Sequence, residues 1–287
     1  MRDSCWSQAG RAAIGAVLLL VAAPAGADHH MGWYRSADLS LGYDGNSSNA
    51  AAGEDERANS FAAAGANLDY TWKPTLYTGL LFRGTLAGEG YEQDSRLSNG
   101  KVALLARVSH RPAGGFHMPL FAGWVSAAYR EYGSDIRDGA DYRAGGYVMA
   151  PLTTAIGARV SVGVSERMAA SEVFDLSSRS AGLDLDWRLA PRATAYLGYQ
   201  FIDGEQVSSN SSPPVGSGYD VTEDDDAFDD FRAYRVDART QVATVGLNFA
   251  LSGALSLDAQ VQNADASADG GVGYDRWQGV VSLLMRL

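Results

Sequence analysis

The 287-residue chain contains one cysteine, Cys5. It lies in the N-terminal stretch, so everything after it lacks a thiol. Disulfides and thiolate metal sites are thereby excluded. Histidine is scarce too: His29, His30, His110 and His117 are all there are. Beyond the first 27 residues no apolar run approaches the roughly 20 residues that a membrane-spanning helix needs. The net charge of −11 speaks against nucleic acid as a partner. No pattern calls for a cofactor.

What is present begins with a leader. Arg2 and Arg11 flank a polar start, Ala12 to Ala23 form an unbroken apolar run, and Ala25-Gly26-Ala27 supplies small residues for cleavage. That arrangement reads as a secretory signal over residues 1–27. The mature chain is then 28–287. A cysteine-free exported chain of this size either builds a large soluble core or uses a membrane as its outer solvent. Its mean hydropathy of −0.15 excludes a helical membrane protein. It does not exclude strands that are apolar only at every second position.

The last stretch, Tyr274 to Leu287, shows that period of two. Trp277, Gly279, Val281, Leu283, Met285 and Leu287 form one face, while Arg276, Gln278, Val280, Ser282, Leu284 and Arg286 form the other. Nothing follows to cover its free edge. Closure onto the first strand would remove that edge.

The same alternation recurs along the chain. Leu183, Leu185, Trp187 and Leu189 oppose Asp184, Asp186 and Arg188; earlier, Ile156, Ala158, Val160, Val162 and Val164 oppose Arg159, Ser161 and Ser165. Twelve such segments can be counted from Trp33–Tyr43 to the end. Six long polar loops and five short turns join them in alternation. Pro74, Pro112, Pro119, Pro151 and Pro191 sit in or beside the short turns, and Pro213 and Pro214 in the longest loop, about Asp203 to Asp230. No proline is expected inside a strand. The aromatics Tyr70, Trp72, Tyr129, Tyr142, Trp187, Tyr199, Phe201 and Trp277 lie near strand ends on the apolar face, where interfacial girdles form.

In this architecture the mature chain resembles the bacterial outer-membrane β-barrels. The resemblance implies an all-β, twelve-stranded antiparallel transmembrane barrel with short periplasmic turns and long extracellular loops, exported to the outer membrane. It also implies lipid, lipopolysaccharide and the barrel assembly machinery as partners. Barrels of this class commonly end on an outward aromatic; this chain ends on Leu287.

One segment breaks the rule. Arg235, Asp237, Arg239 and Gln241 share a parity with Ala243, Val245, Leu247 and Phe249. Either a bulge near Gln241 to Thr244 switches faces, or the strand protrudes from the bilayer. Protrusion is the preferred reading, and it would let Arg235 and Arg239 touch lipopolysaccharide phosphate.

The inward positions carry the functional information. Arg83, Lys101, Arg107, Arg130, Arg143 and Arg159 form a basic wall; Asp38, Asp69, Asp184, Asp186 and Asp258 form an acidic one. Two opposed charged walls across a narrow lumen orient small solutes. The alternative is that these groups pair and plug the interior. Two further functions remain open. One is a non-conducting barrel whose loops bind a partner or polysaccharide. The other is a lipid-modifying enzyme. Arg96-Leu97-Ser98-Asn99-Gly100 resembles the His-x-Ser-Asn-Gly stretch of outer-membrane phospholipase A, but Arg96 stands where the histidine would be and cannot serve as a base near neutral pH. The omptin proteases also need an outer-face histidine, and none of the four is expected there. The serine stretch is expected to be a loop turn. The run Glu223 to Asp226 with Asp229 and Asp230 has oxygen ligands for Ca²⁺ but no regular spacing, and a solvated acidic loop is expected instead. The expectation is a narrow channel for small polar or anionic solutes, without catalytic residues or bound metal.

Overall fold

Strands that are apolar at alternate positions can leave the apolar side chains exposed only if hydrocarbon covers them. The computed structural model places them that way. It describes residues 31–287 except 52–54, 114, 116, 213–220 and 269–272. The leader, the proposed cleavage site, His29, His30, Pro213 and Pro214 therefore lie outside the described residues.

Among the described residues there are thirteen strands: β1 (Met31–Asp44), β2 (Asn59–Trp72), β3 (Thr78–Tyr91), β4 (Asn99–His110), β5 (Leu120–Tyr132), β6 (Gly139–Pro151), β7 (Ile156–Ala169), β8 (Leu176–Ala190), β9 (Ala193–Asn210), β10 (Thr222–Asp225), β11 (Phe231–Ala250), β12 (Leu255–Ala268) and β13 (Gly273–Arg286). Each pairs antiparallel with its neighbour, β13 pairs with β1, and β9 pairs directly with β11. Twelve strands thus close a barrel, and β10 hangs on the outer end of β11. Closure leaves no barrel strand with a free edge. The final strand meets the first in the register Leu39↔Leu283 and Leu41↔Val281, so apolar positions coincide across the seam.

The outer surface is an apolar belt. Leu41, Leu104, Val125, Val162 and Val245 are all more than half exposed. Trp33, Trp72 and Trp187 border the belt at the inner end, and Tyr43, Tyr129, Tyr142, Tyr199 and Trp277 at the outer end. Trp33 and Tyr70 pack ring to ring at 5.0 Å. This is the outer-membrane barrel fold that the alternation predicts.

Four boundaries differ from the sequence reading. Strands run further outward than hydrophobicity suggests, because their upper halves carry charges outside the membrane: β9 reaches Asn210 and β12 reaches Ala268. Leu76 lies in the turn before β3 and is exposed. Pro151 is the last residue of β6, paired with Gly157, a strand end where its missing N–H costs no interior bond. The protrusion expected for β11, by contrast, is what the structure shows: the strand holds one register from Arg232↔Asn210 to Phe249↔Ala193, with no bulge. Its upper half protrudes, and Tyr234, Val236, Ala238 and Thr240 on the inner face are buried.

Three outer connections repeat one design. Ser95–Leu97, Asp135–Arg137 and Glu172–Phe174 each form a single 3-10 turn. The next residue turns back on the preceding strand. Ser98 Oγ accepts the Tyr91 N–H at 2.9 Å, Asp138 Oδ1 accepts that of Tyr132 at 2.6 Å, and Asp175 Oδ1 accepts that of Ala169 at 2.6 Å. Ser98 is one member of this structural series.

Candidate functional site

The lumen is lined by the even-numbered face of β1 and its lateral partners, and its charges do not form two simple opposed walls. Three of the six expected basic residues bind aspartates on the adjacent strand. Arg83 makes a two-pronged contact with Asp69, both bonds 2.6 Å. Arg159 reaches Asp184 at 2.9 Å, and Arg130 reaches Asp141 at 3.1 Å, with Arg167 also near Asp141 at 3.7 Å. Adjacent strands are closer than opposite ones, so neighbours take these charges first. The Arg83 and Arg159 side chains are still 40% and 47% exposed although they point inward, so the inner half of the lumen is open to water.

The other three cations are differently placed. Among the described residues, Lys101, Arg107 and Arg143 close no ion pair, and Arg107 Nε is buried without a hydrogen-bond partner. They stand on β4 and β6, with Lys101 laterally beside Arg130 and Arg143 beside Ser126 of the intervening β5. In a ring of twelve, β11 to β13 face this arc. Between their ends those strands present Asn248, Asp258, Gln260, Gln262 and Ser282, while Arg276, neutralised by Asp44, and Arg286 stand toward the outer and inner ends of β13. The only carboxylate of the set, Asp258, accepts from Tyr196 at 2.8 Å and from Asn248 at 3.1 Å. The lumen is therefore asymmetric: a basic arc faces a largely neutral polar one.

The remaining acidic residues do not oppose it as a wall. Asp69 and Asp184 are consumed in lateral pairs. Asp38 sits on the lateral row Asp38–Gly65–Ala87–Lys101, two small residues away from that lysine. Asp186 lies beside Tyr196 and is exposed. Across the seam Asp38 lies opposite Leu284, Arg286 lies opposite Ser36, and Arg276 binds Asp44.

Three aromatic rings are folded flat against the wall. A Cβ on Gly246 would overlap the Tyr196 ring, one on Gly42 would overlap the Phe61 ring, and one on Gly145 would meet the Trp124 indole at 2.9 Å. Glycine opposite each ring leaves it room to lie down, so the ring covers backbone instead of crossing the bore.

The outer mouth is roofed. The first loop leaves β1 at Gly45, whose N–H bonds to Trp277 O at 2.8 Å, and crosses to β9. There Ser48 O accepts the Ser209 N–H at 3.0 Å, Asn49 O accepts Ser208 Oγ at 2.7 Å, and Asn49 Nδ2 donates to Val207 O at 3.1 Å. Asn49 takes a left-handed φ of 51°, a conformation that asparagine tolerates well. The described part of the connection from β9 to β11, residues 221–230, packs against the other loops. Asp225 is buried against Arg137 at 2.5 Å and accepts Ser209 Oγ; Asp226 pairs with Arg96 at 3.1 Å and accepts Ser134 Oγ; Glu223 accepts Ser171 Oγ. Arg137 also lies 4.4 Å above the Phe174 ring. The expectation of a solvated acidic loop holds for Asp224, Asp229 and Asp230, which are exposed, and is corrected for Glu223, Asp225 and Asp226: these are latches, drawn in because three outer turns offer an arginine or a hydroxyl. The run could not have shown this, since the partners lie on three other loops. Asp94 of the same region is pushed above the ordinary carboxylate range by burial, an effect the Asn59 amide partly offsets.

Ser98 is engaged with the Tyr91 amide as described, Arg96 reaches Asp226, and His110 lies at the inner end against Thr78 Oγ1 at 3.0 Å.

No protein-family model and no curated protein matches the chain. Solved structures do. The barrel is similar to the COG4313 outer membrane channel from Pseudomonas putida F1, with 12% identity, a TM-score of 0.61, and 93% of this chain and 97% of that one covered. That establishes the outer-membrane barrel fold. The NanC porin aligns more loosely, at 6% identity and a TM-score of 0.48 over 88% of this chain and all of that one. The outer membrane channel DcaP of Acinetobacter baumannii gives 7% and 0.44, covering 91% and 99%.

Proposed function

We propose that the protein is an outer-membrane channel for small polar or anionic solutes, reached by export through its leader and insertion by the barrel assembly machinery. The observation that carries this reading is the basic arc Lys101, Arg107 and Arg143, which closes no ion pair among the described residues and faces neutral polar strands. Such an arc holds an anion without trapping it, because no single cation is joined by a rigid cage of donors. The water-exposed inward arginines of the inner half supply the rest of the path. The engagement of Ser98 in a turn and the inner position of His110 support a non-catalytic role.

Planar-bilayer recordings in a KCl gradient test the reading. The wild-type reversal potential should lie on the anion side, and the triple variant K101Q/R107Q/R143Q should move it toward zero or beyond. An unchanged potential in that variant would remove the basic arc from the mechanism. The roof favours one second reading, a surface barrel whose outer loops bind a partner. If deletion of residues 221–228 leaves a barrel that never conducts, that second reading takes precedence.

A further inference from the structure

The basic arc surrounds an aromatic surface that charge alone does not explain. Trp124 occupies the lumen face of β5, and its lateral row reads Arg107–Trp124–Gly145–Gly163 across β4 to β7. A Cβ on Gly145 would meet the indole at 2.9 Å, so the ring leans from β5 onto β6 and lies along the wall. Gly163, next in the row, is bare as well. One indole face therefore rests on backbone, and the other, partly exposed, looks into the bore.

Cations and hydroxyls border that face. Arg107 is its lateral neighbour at a spacing of about 5 Å, and Arg143 stands on the diagonal at about 7–8 Å. Neither closes an ion pair among the described residues, and Arg107 Nε is buried without a hydrogen-bond partner. The row one step further out is Leu105–Ser126–Arg143–Ser165. One step further in, Tyr147 lies beside Ser161. Among the described residues the hydroxyls of Ser126, Ser161 and Ser165 take no protein partner. A flat apolar face, two guanidinium groups outside any ion pair and three uncommitted hydroxyls thus share one part of the lumen wall.

We infer that this part of the wall is a binding site for a sugar acid, a pyranose ring carrying one carboxylate. The inference rests on the channel reading and names the solute class for the same arc. The electron-rich face of the indole attracts the weakly positive C–H groups on one side of a pyranose. Arg107 and Arg143 flank the ring, and each offers a carboxylate two parallel donors. Ser126, Ser161 and Ser165 answer the sugar hydroxyls. A neutral sugar would leave both guanidinium groups unanswered. An aromatic acid would stack and pair, but it would leave the serines without partners, and a site that bonds hydroxyls discriminates against a ligand lacking them.

Isothermal titration calorimetry on the purified barrel in detergent, with glucuronate, glucose and benzoate as probes, tests it. Glucuronate should bind about tenfold more tightly than glucose, the worth of one hydrogen bond to a charged group, and more tightly than benzoate. Trp124→Ala should lose most of the glucuronate affinity while keeping its heat-modifiable mobility on gels. The S126A/S161A/S165A variant should lose the preference over benzoate. No binding of glucuronate by the wild type, or binding equal to that of glucose or benzoate, would overturn the site, and these comparisons need no variant to fold. Wild-type affinity in Trp124→Ala would overturn it as well. Equilibrium binding is read apart from passage. Selective glucuronate binding without anion-selective current would support the site and end the channel reading, whereas anion-selective current without glucuronate binding would overturn the site alone.

Discussion

The carboxylate of Asp44, on β1, is fully buried against the guanidinium of Arg276, on β13, and so fastens the barrel's seam from inside. Arg276 donates to it through Nε at 2.9 Å and through Nη2, Gln278 Nε2 adds a third bond at 2.8 Å, and Arg276 Nη1 reaches Asn49 Oδ1 at 3.0 Å. The seam and the first loop of the roof thus share one arginine.

Removing Asp44 strands a largely buried guanidinium. Asp44→Ala should destabilise the barrel by about 3–5 kcal/mol, read as a lower urea midpoint for loss of heat-modifiable mobility. Gln278→Ala, which leaves the ion pair intact, should cost well under half as much. If the two variants unfold alike, the ion pair is not what fastens the seam.

Asp225 is the centre of the roof. Asp225→Asn removes the charge that holds Arg137 and should loosen the connection over the mouth before it affects the barrel wall. The expected readout is higher single-channel conductance with an unchanged urea midpoint. Unaltered conductance in this variant would show that the roof does not limit passage.

Gly246→Val places methyl groups where the Tyr196 ring lies. The ring must leave the wall and give up its 2.8 Å bond to Asp258, a loss of about 1.5–3 kcal/mol for a bond to a charged group. Once displaced it projects into the bore, so conductance should fall. Restoring space with Tyr196→Ala in the same chain should recover it.

Leu39, about midway between Trp33 and Tyr43, is 50% exposed on the lipid face of β1. Leu39→Arg should cost about 2–4 kcal/mol near the bilayer centre, measured by reversible folding into phospholipid vesicles. Ser40→Arg, one residue along and facing the lumen, should cost much less. Equal costs would mean that the two faces of β1 are assigned wrongly.

The fold was legible because a membrane barrel writes its two solvents directly into alternate residues: Leu183, Leu185 and Trp187 against Asp184 and Asp186 needed no tertiary information. Even the protruding half of β11 could be read from the parity of Arg235 to Gln241. Pairings were less legible. Which aspartate meets Arg83 depends on lateral register, and Asp69↔Arg83 follows only once β2 and β3 are aligned. The roof was not legible at all. Asp225 and Asp226 look like solvated acids until loops distant in sequence bring Arg137, Ser134 and Arg96 to them.

The first loop joins β1 to β9, strands a third of the circumference apart, through bonds at Val207, Ser208 and Ser209. Lateral hydrogen bonds hold neighbouring strands together but resist flattening of a ring only weakly. A chord across the ring resists it directly. The segment that covers the mouth is therefore also a brace, and whatever releases it will let the outer rim become oval as well as open.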